Sequence, residues 1–222
     1  MILAIDGPAG VGKSTTAIAL SKSLGWKYFD SGSVYRSLTY ISLNHFNFDP
    51  SQGISPLLEL LRSGEEFLSV DWGPDGQRLF FRGSEITSRI RSDEINKNIK
   101  YIADEPNCRE FVNDLMRSLA LTHSMVVDGR DIGTKVFPYA EYKVFLTAAP
   151  EVRAGRRAAE KNIKQGSPEF NDLVESIRKR DLDDENRAIA PLKPASDAVV
   201  IDTSHSGVEA VVKEILSVIE KP

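Results

Sequence analysis

The chain has 222 residues, 41% of them hydrophobic and 27% charged, the balance of an ordinary globular protein of one domain or of one domain with an insertion. A formal net charge of −4 gives no global pull toward nucleic acid or an anionic membrane, and no apolar run approaches the ~20 residues a bilayer crossing takes. The single cysteine, Cys108, allows no internal disulfide, and His45, His123 and His205 show no metal-ligand spacing, so the composition points to a cytoplasmic globular protein.

Short apolar runs alternate with longer helical patterns, which predicts an α/β fold on a parallel sheet. The first run, Ile2–Ile5, has no basic flank and enters Asp6-Gly7-Pro8 directly, so it reads as a strand and not as a secretory leader. Next comes Gly7-Pro8-Ala9-Gly10-Val11-Gly12-Lys13-Ser14, which fits G-x-x-x-x-G-K-[ST] without departure and opens a helix predicted over Ser14–Leu24, stopped by Gly25. In such a strand–loop–helix unit the glycines let successive backbone N–H groups turn toward phosphate oxygens, and the helix adds the positive end of its dipole. Gly7 through Thr15 are therefore the expected cradle of a nucleoside triphosphate. Lys13 is placed to reach the outer phosphates, and the Ser14 hydroxyl to ligate Mg²⁺.

A second strand is predicted at Trp26–Phe29, ending in Asp30-Ser31-Gly32-Ser33-Val34-Tyr35-Arg36. Arg36 has the planar fork that matches two phosphate oxygens, while Tyr35 reads equally as packing or as a contact. Almost a hundred residues separate this strand from the next, too many for a plain crossover. Within them Phe67–Trp72, a turn at 73–76 and Gln77–Arg82 read as a β-hairpin, with residues 83–87 as a third short strand. This small antiparallel piece is either a surface decoration or part of a mobile substrate-binding arm.

Met125–Val127 is a buried-strand run ending at Asp128, where a carboxylate can hold Mg²⁺ directly or through water. Gly129-Arg130-Asp131-Ile132-Gly133 then presents a guanidinium and a carboxylate at the same sheet edge. Further strands are predicted at Tyr142–Leu146 and Ala198–Ile201, and a last helix has Val208, Val211, Val212, Ile215, Leu216 and Ile219 on one face. Between those strands, Arg153, Arg156 and Arg157 share one face of a predicted helix, and Arg180, Asp184 and Arg187 share a face of another. Residues 151–190 hold nine Lys/Arg and nine Asp/Glu, so they form no nucleic-acid stripe. They read as a solvated ion-paired helix pair, or as a lid bringing positive charge to a transferring phosphoryl group. Arginines outnumber any plausible general base. That favours an acceptor that is itself anionic, needing alignment and charge neutralisation more than proton removal.

Four segments, 5–15, 30–36, 128–134 and 180–192, together resemble the bacterial cytidylate kinases, a family of nucleoside monophosphate kinases, and the resemblance runs from end to end. It implies a P-loop NTPase fold: a doubly wound five-stranded parallel sheet with helices on both faces, an inserted monophosphate-binding arm with the small antiparallel sheet, and a short lid. The expected organisation is one kinase domain over 1–222, with a core at about 1–40, 104–152 and 188–222, the insertion at about 41–103, and lid and adjoining helix at about 153–187. The resemblance further implies Mg²⁺-dependent phosphorylation of CMP and dCMP by ATP, without nucleic-acid or membrane partners, by a monomer. CMP phosphate would meet Arg36, Arg130 and Arg187; the base, Arg109 and Asp131; the ribose, Arg180 and Asp184 with Ser31 nearby and Tyr35 beside them. Lys13, Asp128, Arg130, Arg153 and Arg157 would be the catalytic set. At Lys100 the chain departs from the small hydroxyl residue the family often carries near the base, which leaves the preference among CMP, dCMP and UMP open. Two other readings share the P-loop: a kinase of another small acceptor, such as UMP or shikimate, and a nucleotide-dependent switch.

Overall fold

A computed structural model describes residues 1–74 and 76–219. Its eight strands are β1 (Ile2–Asp6), β2 (Lys27–Asp30), β3 (Leu68–Gly73), β4 (Gly76–Phe81), β5 (Ser84–Glu85), β6 (Met125–Gly129), β7 (Tyr142–Thr147) and β8 (Val199–Asp202). The helices are α1 (Lys13–Leu24), α2 (Ser31–His45), α3 (Ser55–Ser63), α4 (Asp93–Ala103), α5 (Pro106–Ala120), α6 (Pro150–Glu160), α7 (Pro168–Glu185) and α8 (Val208–Ile219). The larger sheet has the order β2-β6-β1-β7-β8, and β1/β6, β1/β7 and β7/β8 pair in parallel. Strand order reverses its direction of travel at β1, the arrangement of a doubly wound sheet, whose ligands bind at the carboxyl ends of its strands.

The chain divides into two compact units, 1–26 with 124–222 and 27–123. In the first unit β1 is buried along its whole length and β6 over its first four residues, as the unbroken apolar runs predict. Strand ends lie one or two residues beyond the predicted ones, because Asp6, Gly129 and Asp202 still belong to the ladder. Helix α1 ends as expected at Gly25, whose φ of 69° is the left-handed conformation that closes helices. Helix α8 packs on α1 and buries Val211 and Ile215. Helices α6 and α7 form a pair of their own around Ala154, Ala158, Phe170, Val174 and Ile177.

In the second unit β3, β4 and β5 form the antiparallel sheet predicted from the change of period, with Leu68 opposite Phe81 and Gly73 opposite Gly76. The predicted turn includes Asp75, which lies outside the described residues. Trp72 donates its indole N–H to the Tyr28 carbonyl at 2.6 Å, joining the hairpin to β2. Helix α2 starts at Asp30, whose carboxylate accepts from Ser33 N at 3.2 Å, and α5 starts at Glu105, which accepts from Cys108 N at 2.7 Å.

Candidate active site

The loop between β1 and α1 is shaped by its glycines. Gly7 has φ +147°, and a Cβ there would lie 2.1 Å from the Leu146 carbonyl oxygen, so no side chain fits. Gly12 has φ +91° and caps α1 with its carbonyl, which accepts from Thr16 N at 2.9 Å. Lys13 folds back over this loop and donates to the carbonyls of Gly7 and Pro8, both at 2.7 Å. Burial pushes its pKa well down and the Arg130 guanidinium adds to that, while Asp128, Asp6 and Asp184 pull the other way. Lys13 thus feels, within one unit, the charged residues that follow β6 and those on α7.

Ser14 donates its hydroxyl to Asp128 Oδ2 at 2.7 Å, bringing together the two residues expected to hold Mg²⁺. Among the described residues no group of three or more His, Cys, Asp and Glu could hold a metal, so this pair is not a closed protein cage. Two hard oxygens beside a phosphate-binding loop nevertheless fit Mg²⁺, which keeps several waters and takes its other ligands from substrate phosphates.

The Gly129–Gly133 segment leaves the sheet into a single wide turn over Ile132–Val136, where Lys135 N and Val136 N both bond the Asp131 carbonyl at 2.9 and 3.3 Å. Asp131 is buried. Arg130 Nε donates to Asp184 Oδ2 at 3.0 Å, and Arg187 Nη2 lies 2.6 Å from Asp184 Oδ1. One almost wholly buried carboxylate therefore holds two guanidinium groups side by side, each about a fifth exposed. The sequence spacing groups Asp184 and Arg187 with Arg180 on one helix face, and the structure instead joins them to Arg130. Helix α7 stops at Glu185, and Arg187 joins Asp184 from beyond the helix end rather than from the same helix face. Arg180, on the turn before the last of α7, is exposed.

The arginines of α6 separate into two roles. Arg153 is buried and donates to the carbonyls of Ala148 at 2.9 Å and Ala9 at 3.1 Å, and both its terminal nitrogens pair with Asp181. Arg156 donates to Thr203 Oγ1 at 3.2 Å and to the Gly10 carbonyl at 3.4 Å. These two brace the outer side of the phosphate loop. Arg157 is half-buried on the same helix. Arg156 was read from the sequence only as part of the basic face of α6, and Asp181 and Asp6 were not singled out; of those two only Asp6, a carboxylate at the junction of strand and glycine loop, carried a local signal that could have found it.

The remaining expected acceptor residues lie in the second unit. Ser31 and Tyr35 are buried on α2, and Arg109 is buried on α5, where it donates to the Ala103 carbonyl at 3.0 Å and sits 5.9 Å from the Tyr35 ring centre. Arg36 curls toward the first turn of α2, its Nη1 2.9 Å from where a Cβ on Gly32 would stand. Lys100, at the end of α4, is exposed and lies 4.8 Å from the Tyr101 ring centre. No helix of the described residues is long and apolar enough to cross a membrane.

A glycine-bound phosphate cradle between β1 and α1, on a doubly wound sheet, defines a P-loop nucleotide-binding protein. The solved structure of an uncharacterized protein from Eubacterium ventriosum shares this fold, with a TM-score of 0.52 and 11% identity, covering 99% of this chain and 98% of that one. The profile of the cytidylate kinase family matches residues 3–221. A cytidylate kinase of an Exiguobacterium species is 41% identical over 221 residues, 99% of this chain and 96% of that protein. One of Shouchella clausii is 42% identical over 220 residues, with the same coverage. The chain belongs to the cytidylate kinase family and is a phosphotransferase.

Proposed function

We propose that this protein transfers the γ-phosphoryl group of ATP to CMP or dCMP, giving ADP and CDP or dCDP by direct in-line displacement. The observation that carries the reading is the electrostatic neighbourhood of Lys13. The P-loop lysine stands in the field of Arg130, which Asp184 holds next to Arg187, so a cradle for one phosphate chain adjoins a basic pair suited to a second anion. The acceptor phosphate oxygen is already a nucleophile, so no general base is needed and catalysis rests on alignment and charge neutralisation.

In this reading the N–H groups of the 7–14 loop bind the triphosphate, and the anionic phosphates favour the charged form of Lys13. Ser14 and Asp128 would hold Mg²⁺, which supplies charge neutralisation on the phosphate oxygens. Arg36, Arg130 and Arg187 take the CMP phosphate. Asp131 accepts from the cytosine amino group and Arg109 donates to its ring acceptors, while Ser31, Tyr35, Arg180 and Asp184 surround the sugar. Arg153 keeps the cradle in shape through the Ala9 carbonyl, and Arg157 brings charge to the transferring group. A monomeric, cytoplasmic enzyme that takes small nucleotides and no nucleic acid or membrane belongs to the same proposal.

ADP release from ATP and Mg²⁺, with CMP, dCMP, UMP, AMP, GMP, dTMP and shikimate offered separately, tests it. CMP and dCMP are expected to be the fastest acceptors. Equal rates with CMP and UMP would remove Asp131 and Arg109 from base reading, and no turnover with any acceptor would refute the kinase reading.

A further inference from the structure

Asp6 is the last residue of β1, next to Gly7, and it is buried. Its two carboxylate oxygens are divided between consecutive backbone amides: Oδ1 accepts from Ile132 N and Oδ2 from Gly133 N, each at 2.8 Å. Bonds from two successive N–H groups to one carboxylate fix both peptide planes, and charge makes such bonds about twice as strong as neutral ones. Asp6 is also the residue at which the β1/β6 pairing ends, opposite Gly129. Where the ladder stops, the Asp6 side chain takes over and holds the chain three and four residues further on. Arg130 and Asp131 lie in the interval between these two points of attachment.

We propose that Asp6 is a positioning residue of the acceptor site: by clasping the amides of Ile132 and Gly133 it sets the backbone that presents Arg130 and Asp131, and ties that backbone to the strand entering the phosphate cradle. This rests on the reading of Arg130 and Asp131 as acceptor-binding residues. The surroundings of the carboxylate support it. Burial, with help from the nearby Asp131, pushes the Asp6 pKa up to about 6 in spite of both amides and of Lys13. A group kept ionised against that burial does more than fill space. Gly133 fits the same account, because a Cβ there would lie 3.3 Å from Lys143 Cγ and Cδ and 3.4 Å from Asp6 Oδ2. Glycine leaves room there for the Lys143 stem to pack against the clasp, where a Cβ would have to push that stem aside by a few tenths of an ångström.

Two variants of the full chain test the proposal. Asp6→Asn keeps the size but sets an amino group against one of the two N–H donors; Gly133→Ala keeps the Asp6 charge and crowds the clasp through the Lys143 stem packed against it. Dissociation constants for CMP and for a non-hydrolysable ATP analogue are measured by titration calorimetry, alongside kcat and KM for each substrate. In both variants CMP binding is expected to weaken about tenfold or more while the ATP analogue stays within about threefold, a split that general loosening of the fold does not produce. CMP affinity within about twofold of wild type, or equal losses for both ligands, would overturn the proposal. If Asp6→Asn does not fold, Gly133→Ala decides by the same criterion. If the wild-type enzyme neither binds nor phosphorylates CMP, the proposed function falls and takes the clasp's role with it. That failure shows in the wild type alone, before any variant is compared.

Discussion

Replacing Asp184 by alanine removes the carboxylate that pairs with both Arg130 and Arg187, and its consequence can be worked from their geometry. Asp184 is 3% exposed by side chain, with Arg130 Nε at 3.0 Å and Arg187 Nη2 at 2.6 Å; the two guanidinium groups keep 22% and 23% of their exposure. Removing one partner of a fully buried pair costs ~3–5 kcal/mol, and a surface pair is worth ~0–1 kcal/mol. Partial rehydration of both arginines places this case between the limits, at about 2–3 kcal/mol. For a chain of this length each kcal/mol lowers Tm by ~2–4 °C, so a fall of about 5–10 °C is expected. Differential scanning calorimetry of wild type and Asp184→Ala, each with and without inorganic phosphate, reads it directly. Phosphate places a negative charge where the carboxylate stood, so it should raise the variant's Tm by more than the wild type's. A fall below ~1 °C would refute the energetic account. Equal phosphate shifts in the two proteins would remove Arg130 and Arg187 from anion binding.

Lys13→Ala should lower kcat by about 10²–10³-fold or more, since the ammonium acts on charge developing at the phosphates, yet leave Tm unchanged or higher because a poorly solvated cation is removed. A fully active variant would take Lys13 out of the mechanism. Ser14→Ala should raise severalfold the Mg²⁺ concentration for half-maximal rate, read by titrating Mg²⁺ at fixed ATP; an unchanged requirement would remove Ser14 from the metal site. Asp131→Ala should raise KM for CMP by about 10-fold or more with KM for ATP little moved, since a site built to accept the cytosine amino group loses ~1–3 kcal/mol of discrimination. The Asp6 carboxyl titrates at about 6 in the folded chain against 3.8 unfolded, so the folded state takes up the proton first as pH falls. Wild type should therefore gain stability relative to Asp6→Asn on going from pH 7 toward pH 4, by up to about 3 kcal/mol over the two-unit shift. A stability difference independent of pH would refute that reading.

The fold was readable wherever burial dictates composition. Buried strands need continuous apolar runs, and β1, β6 and β7 announce themselves in that way, as the antiparallel hairpin does by its change to period two. The glycines at 7, 12 and 25 mark places where the backbone must take a conformation other residues avoid. Helix ends were less readable. The spacing of Arg180, Asp184 and Arg187 is helical throughout, but Asn186 ends α7 with its N–H on the Leu182 carbonyl, and the chain returns so that Leu192 N bonds the Asp184 carbonyl. A periodicity argument has no term for such a return. The second unit was harder again. Its start at Lys27 and end at His123 follow from where tertiary contacts thin out, not from a change in composition.

For the site, residue types were readable and their partners were not. Arg153 illustrates why. Its place on one face with Arg156 and Arg157 points to a basic helix surface, and a guanidinium so placed serves equally as lid charge or as brace. The structure supplies the carboxylate of Asp181 on α7 and the Ala9 carbonyl in the phosphate loop, and these make Arg153 part of the cradle's frame. Ser14 and Asp128 could be paired in advance because the P-loop pattern carries the rule that joins a helix-start hydroxyl to a strand-end carboxylate. Asp6 and the amides of Ile132 and Gly133 obey no such pattern. A backbone N–H has no signature in the sequence, so a carboxylate that works by holding amides is invisible until the strands are paired. That is also why the residue most directly joined to both the phosphate cradle and the Arg130–Asp131 segment was the one that spacing passed over.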